Sequence, residues 1–255
     1  MDKIEIITVA THDDGNFNEL INNKFNEKIK VLGYGQKWYG FKMKYDLLYN
    51  YLKEKDDDTI IIFLDGFDTV INKDPKLAIK IFKENNYKIL FSRDWNNVLG
   101  SLFFSNSLYD NSLMNCGMYM GYVKYLKKMC NEINNYDYMD DQLLLNKLKH
   151  KIDYIDVDDN KIFKNFSYSF TSKHETDAIF YQTPGKLEIN RTKRAIKEYG
   201  NFFNNYILLL NAIILFIFYK IKKNIIFIIY LIFTIGLFIY LYHLPKTHII
   251  TKINV

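Results

Sequence analysis

The sequence predicts an α/β fold in three layers, helices covering both faces of a parallel sheet, followed by a C-terminal membrane segment. Three observations lead there. Short apolar runs rich in β-branched residues alternate with stretches of helical length and pattern through residues 1–200. The runs are apolar nearly throughout rather than alternating with polar residues, as strands buried on both faces are. From residue 206 to 242 the chain is almost wholly apolar apart from Asn211 and one Lys-rich interruption. The 255 residues therefore divide into an expected globular domain over 1–200, a membrane segment of one or two helices over 201–245 and a short polar tail over 246–255.

The elements follow in order. Residues 4–10 form an apolar stretch around Glu5, read as the first strand, and end in the polar Thr11-His12-Asp13-Asp14-Gly15 loop. Residues 17–25 read as a helix, 29–32 as a second strand, 43–55 as a helix and 59–64 as a third strand, β-branched almost throughout. Residues 76–84 are helical in pattern and 87–91 are strand again. In such a sheet ligands bind outside the carboxyl ends of the strands, which directs attention to the loops after Ala10, Leu64 and Phe91.

Composition narrows the functions. The net charge of +5 is modest and the lysines are interspersed with acids, so no basic stripe suited to nucleic acid is present. Cys116 and Cys130 are too few for a disulfide framework and belong to no spaced metal-binding set; reduced thiols in a cytosolic setting fit. Charge appears within two residues of Met1, so no cleaved signal peptide is expected. No phosphate-binding P-loop, Gly-x-Ser-x-Gly elbow or HExxH helix occurs, and Asp56-Asp57-Asp58 reads as a solvated turn.

Residues 225–242 run for eighteen positions without a charge, a helix of ~27 Å at the usual rise per residue, close to the hydrocarbon thickness of a bilayer. The shorter apolar run 206–219 reads as a second span or an interfacial helix, and Lys220, Lys222 and Lys223 separate the two. With one span that cluster lies on the domain's side. With two, the flanking Lys186, Arg191, Lys193, Arg194, Lys197, Lys246 and Lys252 outnumber it. Both arrangements place the domain on the cytosolic side.

Directly after the third strand stands Asp65-Gly66-Phe67-Asp68. Two carboxylates three residues apart at a strand's end, with Gly permitting a tight turn, can converge on one divalent cation. Such an ion, Mg²⁺ or Mn²⁺, is typically held by one or two carboxylates together with phosphate oxygens of a nucleotide. Taken alone, either Asp would more often be a loop or cap residue.

The surrounding sequence resembles the glycosyltransferase domains of procollagen lysyl hydroxylases and the related procollagen galactosyltransferases. Val9-Ala10-Thr11 resembles that family's first strand end, and Leu32-Gly33-Tyr34-Gly35-Gln36-Lys37-Trp38-Tyr39-Gly40 its Leu-Gly-x-Gly-x-x-Trp-x-Gly segment. Phe63-Leu64-Asp65-Gly66-Phe67-Asp68-Thr69-Val70 is similar to its metal loop, an Asp-x-x-Asp variant of the DxD motif. Leu90-Phe91-Ser92, Met114-Asn115-Cys116-Gly117 with Gly121-Tyr122, and Asp140-Asp141-Gln142 follow in the family's order, so that the likeness spans residues 4–190.

The resemblance implies a GT-A fold, a UDP-glucose or UDP-galactose donor, and Mn²⁺ or Mg²⁺ held by Asp65 and Asp68. Thr11, Trp38 and Lys44 would lie around the nucleotide, Trp38 by stacking on a ring and Lys44 by offering charge to the diphosphate; without the resemblance Lys44 reads as a solvated lysine at a helix start. Asp94 takes the place of a family Glu in the donor pocket. Asn115 would meet donor or acceptor hydroxyls, where the bland reading is a turn residue before Gly117. Asp140 and Asp141 would include a catalytic carboxylate facing the acceptor hydroxyl or the anomeric carbon, where the bland reading is a helix cap. Lys186 matches a basic residue near the phosphates.

One departure stands out. The family closes its metal site with a His in a His-x-Asn-Gly segment, and here Tyr181 occupies that position in Tyr181-Gln182-Thr183-Pro184. A neutral phenol is a poor ligand for Mn²⁺, which leaves Gln182, water or His174 to complete the shell. The expected function is transfer of glucose or galactose to a hydroxyl acceptor, such as hydroxylysine or galactosyl-hydroxylysine of a collagen-like protein. The competing reading is a catalytically impaired, membrane-anchored UDP-sugar or glycan-binding protein of the same fold. Iron and 2-oxoglutarate chemistry is not expected.

Overall fold

The computed structural model describes residues 3–94, 112–138, 140–166, 175–183, 214, 228, 230–236 and 250–252. The chain forms two units, Met1–Lys186 together with Ile249–Val255, and Leu187–His248.

In the first unit the elements run β1 (Ile4–Val9), α1 (Phe17–Ile21), β2 (Ile29–Leu32), α2 (Lys42–Leu52), β3 (Ile60–Leu64), β4 (Thr69–Ile71), α3 (Pro75–Glu84) and β5 (Ile89–Arg93). They continue with β6 (Met114–Tyr122), α4 (Val123–Ile133), β7 (Tyr136–Tyr138), α5 (Asp141–Leu148), β8 (Ile155–Val157), β9 (Phe163–Asn165), β10 (Phe180–Gln182) and β11 (Ile250–Lys252). Among the described residues, six strands form the central sheet in the order β2-β1-β3-β6-β5-β8. Strand β3 shows why the sheet is two-faced. Its successive side chains point to opposite sides, so Ile60, Ile62 and Leu64 pack with Leu20 of α1 and Ala78 and Phe82 of α3, whereas Ile61 and Phe63 pack with Tyr45, Leu48 and Leu52 of α2 and Val123, Leu126 and Met129 of α4. Each such side chain contributes about 1.5–3 kcal/mol on burial, which holds the strand between the two helical layers.

The sequence led to a parallel sheet, and the structure corrects this. Strands β1, β2 and β3 are mutually parallel, as are β5 and β8, but β6 runs antiparallel to both β3 and β5. Strand–helix alternation reveals parallel strands because they need crossover helices; an antiparallel strand inserted between two others needs none. Gly117 and Gly121 also interrupt the apolar run that would mark β6. A bulge between Phe91 and Ser92 shifts the β5–β6 register, pairing Phe91 with Tyr119 but Ser92 with Asn115.

A second sheet, β4-β10-β9, pairs β10 antiparallel with β4 and parallel with β9. It brings residues 180–182 beside the chain that leaves β3. Within the segment read as a polar tail, β11 pairs antiparallel with β7. Cys116 and Cys130 are both buried and free.

In the second unit, Tyr230–Gly236 is helical, with the Thr234 hydroxyl donating to the Tyr230 carbonyl at 2.8 Å. Ile228, Ile232, Phe233 and Ile235 are exposed. Among the described residues no helix is long and apolar enough to cross a membrane, and most of the span 201–245 lies outside them.

Candidate functional site

The loop after β3 is held from three sides. The Asp65 amide donates to the Gly117 carbonyl of β6 at 2.7 Å, the Phe67 carbonyl accepts from the Asn16 amide at 2.7 Å, and the Asp68 carbonyl accepts from the Thr183 amide at 2.9 Å. Asn16 adds side-chain bonds to the Asp68 carbonyl (3.3 Å) and to the Thr183 hydroxyl (3.2 Å). Three segments remote in sequence thus converge on residues 65–68. Gly15 is part of the same support. Its φ is +53°, and a Cβ there would lie 2.2 Å from the Phe67 carbonyl oxygen, so only glycine allows this approach.

Lys44 is the main difference from a surface reading of the sequence. Helix α2 points it inward between Met43 and Tyr45, and it is buried. Its ammonium pairs with Asp141 and donates to the Cys116 carbonyl at 3.1 Å. It lies 5.2 Å from the ring centroid of Tyr45 and 5.6 Å from that of Phe63. Burial acts to lower its pKa, but Asp141 foremost, then Cys116 and Asp65, act to raise it and the net shift is upward, so the side chain is charged at neutral pH.

The partly buried Asp65 feels the same neighbours with opposite sign. Burial pushes its carboxyl up; Lys44 and the backbone N–H groups of Phe67 and Gly66 pull it down, Asp141 opposes them, and the net shift is upward. Lys44, Asp65 and Asp141 therefore form one electrostatic group at the carboxyl end of β3. Tyr45 donates from its hydroxyl to Asp141 at 3.2 Å and completes the second carboxylate's shell.

Asp140 caps α5, its carboxylate accepting from the Leu143 amide at 2.8 Å. The bland and the functional readings of the Asp pair are thus compatible: one residue starts the helix and the next reaches Lys44. Asp94 is buried and accepts from the Gln142 amide nitrogen at 2.9 Å. Asn115 accepts from the Gly117 amide at 2.8 Å through its side chain, and its carbonyl accepts from the Ser92 hydroxyl at the bulge. Asn146, which the sequence did not single out, clamps α5 to β6 by bonds to both polar groups of Met114, 3.0 and 2.9 Å. An amide buried in an otherwise apolar helical stretch is the signal that could have found it.

Thr11 follows β1 with its carbonyl accepting from the Gly35 amide at 2.9 Å and its hydroxyl 2.9 Å from His12 Nδ1. Trp38 is 36% exposed and edge-on to Phe41, with centroids 6.0 Å apart, which leaves much of its ring open. Tyr181 is half-buried with its ring edge-on to Phe166 at 5.9 Å. Its neighbour Gln182 is buried and lies directly against Gly117. Lys186 and His174 lie outside the described residues. Among the described residues no three His, Cys, Asp or Glu side chains gather as a metal cluster.

The family model described as the PLOD GT domain matches residues 1–208. Mouse procollagen-lysine,2-oxoglutarate 5-dioxygenase 2 is 28% identical over 242 residues, covering 80% of this chain and 32% of the mouse protein. The multifunctional procollagen lysine hydroxylase and glycosyltransferase of Caenorhabditis elegans is 26% identical over 189 residues, covering 65% of this chain and 26% of its own. The chain thus spans about a third or less of the length of these relatives. Among solved structures, the galactosyltransferase LgtC with donor and acceptor sugar analogues aligns at TM-score 0.41 and 10% identity, over 71% of this chain and 87% of LgtC. TarS of S. aureus aligns at TM-score 0.42 and 15% identity, over 80% of this chain and 72% of TarS.

Proposed function

This chain belongs to the PLOD GT domain family, and from that premise we propose that it is a GT-A glycosyltransferase moving glucose or galactose from a UDP-sugar to a hydroxyl acceptor. The acceptor class we propose is hydroxylysine or galactosyl-hydroxylysine of a collagen-like protein. The observation that carries the reading is the grouping of Lys44, Asp65 and Asp141 at the carboxyl end of β3, where an open α/β sheet binds its ligands.

The residues present fit a divalent cation. Asp65 and Asp68 offer hard oxygen donors from one braced loop, and Gln182 has a buried side-chain oxygen, Oε1, without a hydrogen-bond partner among the described residues. Mn²⁺ or Mg²⁺ bound there would neutralise charge building on the departing UDP. Lys44 stays charged within this group and offsets part of the negative charge of Asp65 and Asp141. Asp141 fixes the Lys44 ammonium, and Asp140 fixes the start of α5 so that Asp141 can do so. Trp38 presents a ring for stacking, Thr11 a hydroxyl, and Asp94 and Asn115 line the β5–β6 side for the sugar. Lys186 is proposed to meet the phosphates.

The test is UDP-sugar hydrolysis by the full chain with UDP-glucose and UDP-galactose in Mn²⁺ or Mg²⁺. Chelation, or Asp65→Ala combined with Asp68→Ala, is expected to abolish it. Hydrolysis that persists unchanged in the double variant overturns the proposal, and metal-independent UDP binding without turnover favours a binding protein instead.

We further propose that the second unit attaches the domain to a lipid membrane on its cytosolic side. The exposed Ile228, Ile232, Phe233 and Ile235 and the uncharged run 225–242 with its flanking lysines support this. Full-length protein should stay with membranes in alkaline carbonate and be digested by protease added from the cytosolic side. Release into the soluble fraction would refute it.

A further inference from the structure

We propose that the side-chain amide of Gln182, rather than the Tyr181 phenol, supplies the third protein contact to the cation held by Asp65 and Asp68; this rests on the function proposed above.

Adjacent residues of a strand point to opposite faces, so Tyr181 and Gln182 of β10 cannot both face the loop after β3. The structure decides between them. Tyr181 turns toward Phe166, and its phenol feels the charge of Glu19. Gln182 turns toward Gly117, whose carbonyl holds the Asp65 amide. A Cβ at Gly117 would lie 2.1 Å from Gln182 Oε1, so the glycine is what leaves room for the amide. Strand β10 also follows the carboxylate loop closely: Gln182 pairs with Thr69, the residue after Asp68, and the Thr183 amide bonds the Asp68 carbonyl.

Among the described residues nothing uses the amide oxygen. Gln182 is 7% exposed, yet Oε1 has no hydrogen-bond partner among the described residues, a condition that costs roughly 1–3 kcal/mol. Its partners in register, Thr69 on one side and Asn165 on the other, carry Thr69 Oγ1 and Asn165 Oδ1, which also lack partners among the described residues. The amide oxygen thus sits buried against Gly117 with its acceptor capacity open to a ligand. An oxygen-seeking cation beside two carboxylates is such a ligand, whereas a third acid or His is absent from the cluster among the described residues.

The experiment measures Mn²⁺ binding to the full chain in the presence of UDP, by electron paramagnetic resonance, with no turnover required. Gln182→Met keeps the shape and removes the acceptor; Gly117→Ala keeps the amide and displaces it. Both are expected to weaken Mn²⁺ about tenfold or more, and Tyr181→Phe to leave it unchanged. Thermal melting identifies which variants are folded. Unchanged Mn²⁺ affinity in folded Gln182→Met, or in Gly117→Ala, overturns this inference alone. A failure of the unaltered chain to bind Mn²⁺ with UDP overturns it together with the proposed function.

Discussion

Lys44 of α2 and Asp141 of α5 form a buried ion pair, with neither side chain more than 8% exposed. The pair joins two helices of one core cluster and is shared with the Cys116 carbonyl, Tyr45 and the field of Asp65. It is therefore at once a packing element and the electrostatic setting of the loop that follows β3.

Breaking such a pair from one side strands a buried charge, which typically costs about 3–5 kcal/mol. Lys44→Met and Asp141→Leu should each lower stability by that order, and the double variant should recover part of it, because neither member of the pair is then left unpaired and only Asp65 loses a counter-charge. Urea unfolding of all four proteins gives the coupling energy. Additive losses would mean that each side chain is compensated elsewhere.

The sequence carried the strands of the central sheet well where they are β-branched and buried, as with Ile60–Leu64. It carried α2 to within a few residues of its ends. It did not carry β6, whose two glycines hide the apolar pattern, nor the three-residue strands β4, β9 and β10, which are too short for periodicity to register. The same limit applies to the site. The proposed metal residues Asp65 and Asp68 drew attention because a spaced acidic pair at a strand's end is a local feature and the surrounding segments resemble a known family. The burial of Lys44 and the facing of Gln182 depend on pairings between segments far apart in the chain, α2 with α5 and β10 with β4, and no local pattern specifies them.

Gly15 couples the first loop to the acidic loop. With φ at +53° and a Cβ 2.2 Å from the Phe67 carbonyl oxygen, Gly15→Ala is strained both in its own backbone and against a backbone atom that cannot swing aside. A loss of about 1–3 kcal/mol is expected, along with weaker Mn²⁺ binding if the proposed metal role of residues 65–68 holds. Gly35 also has a positive φ, +78°, but a Cβ there meets nothing within 4 Å, so Gly35→Ala should cost less. Denaturant midpoints that rank the two variants in the reverse order would contradict this.

Asp140 offers a way to separate capping from chemistry. Its bond to the Leu143 amide predicts that Asp140→Ala costs about 1 kcal/mol and that Asp140→Ser restores most of it, since serine caps nearly as well. Activity separates the roles: a carboxylate that serves only as a cap leaves turnover in Asp140→Ser close to that of the unaltered chain. A loss of a hundredfold or more with stability restored would assign the carboxylate to the reaction itself.

Glu5 of β1 gives the domain a pH-dependent contribution with a defined sign. Burial pushes its carboxyl up, but hydrogen bonds from Lys55 and Tyr51 and the charges of Lys55 and Lys3 pull it down further, so its pKa is lowered in the folded chain. A depressed carboxylate contributes stability that is fully present above its unfolded value, roughly 4.3, and is lost as pH falls through the folded one. Glu5→Gln should therefore be less stable than the unaltered chain at pH 7, by on the order of 0.5–1 kcal/mol for a partly exposed pair. The gap should narrow below about pH 4.3 and close once the folded carboxyl is protonated. Thermal melts of both proteins at pH 7, 4.5 and 3 test this, and a gap that stays constant with pH would place the stabilisation in the packing of the side chain rather than in its charge.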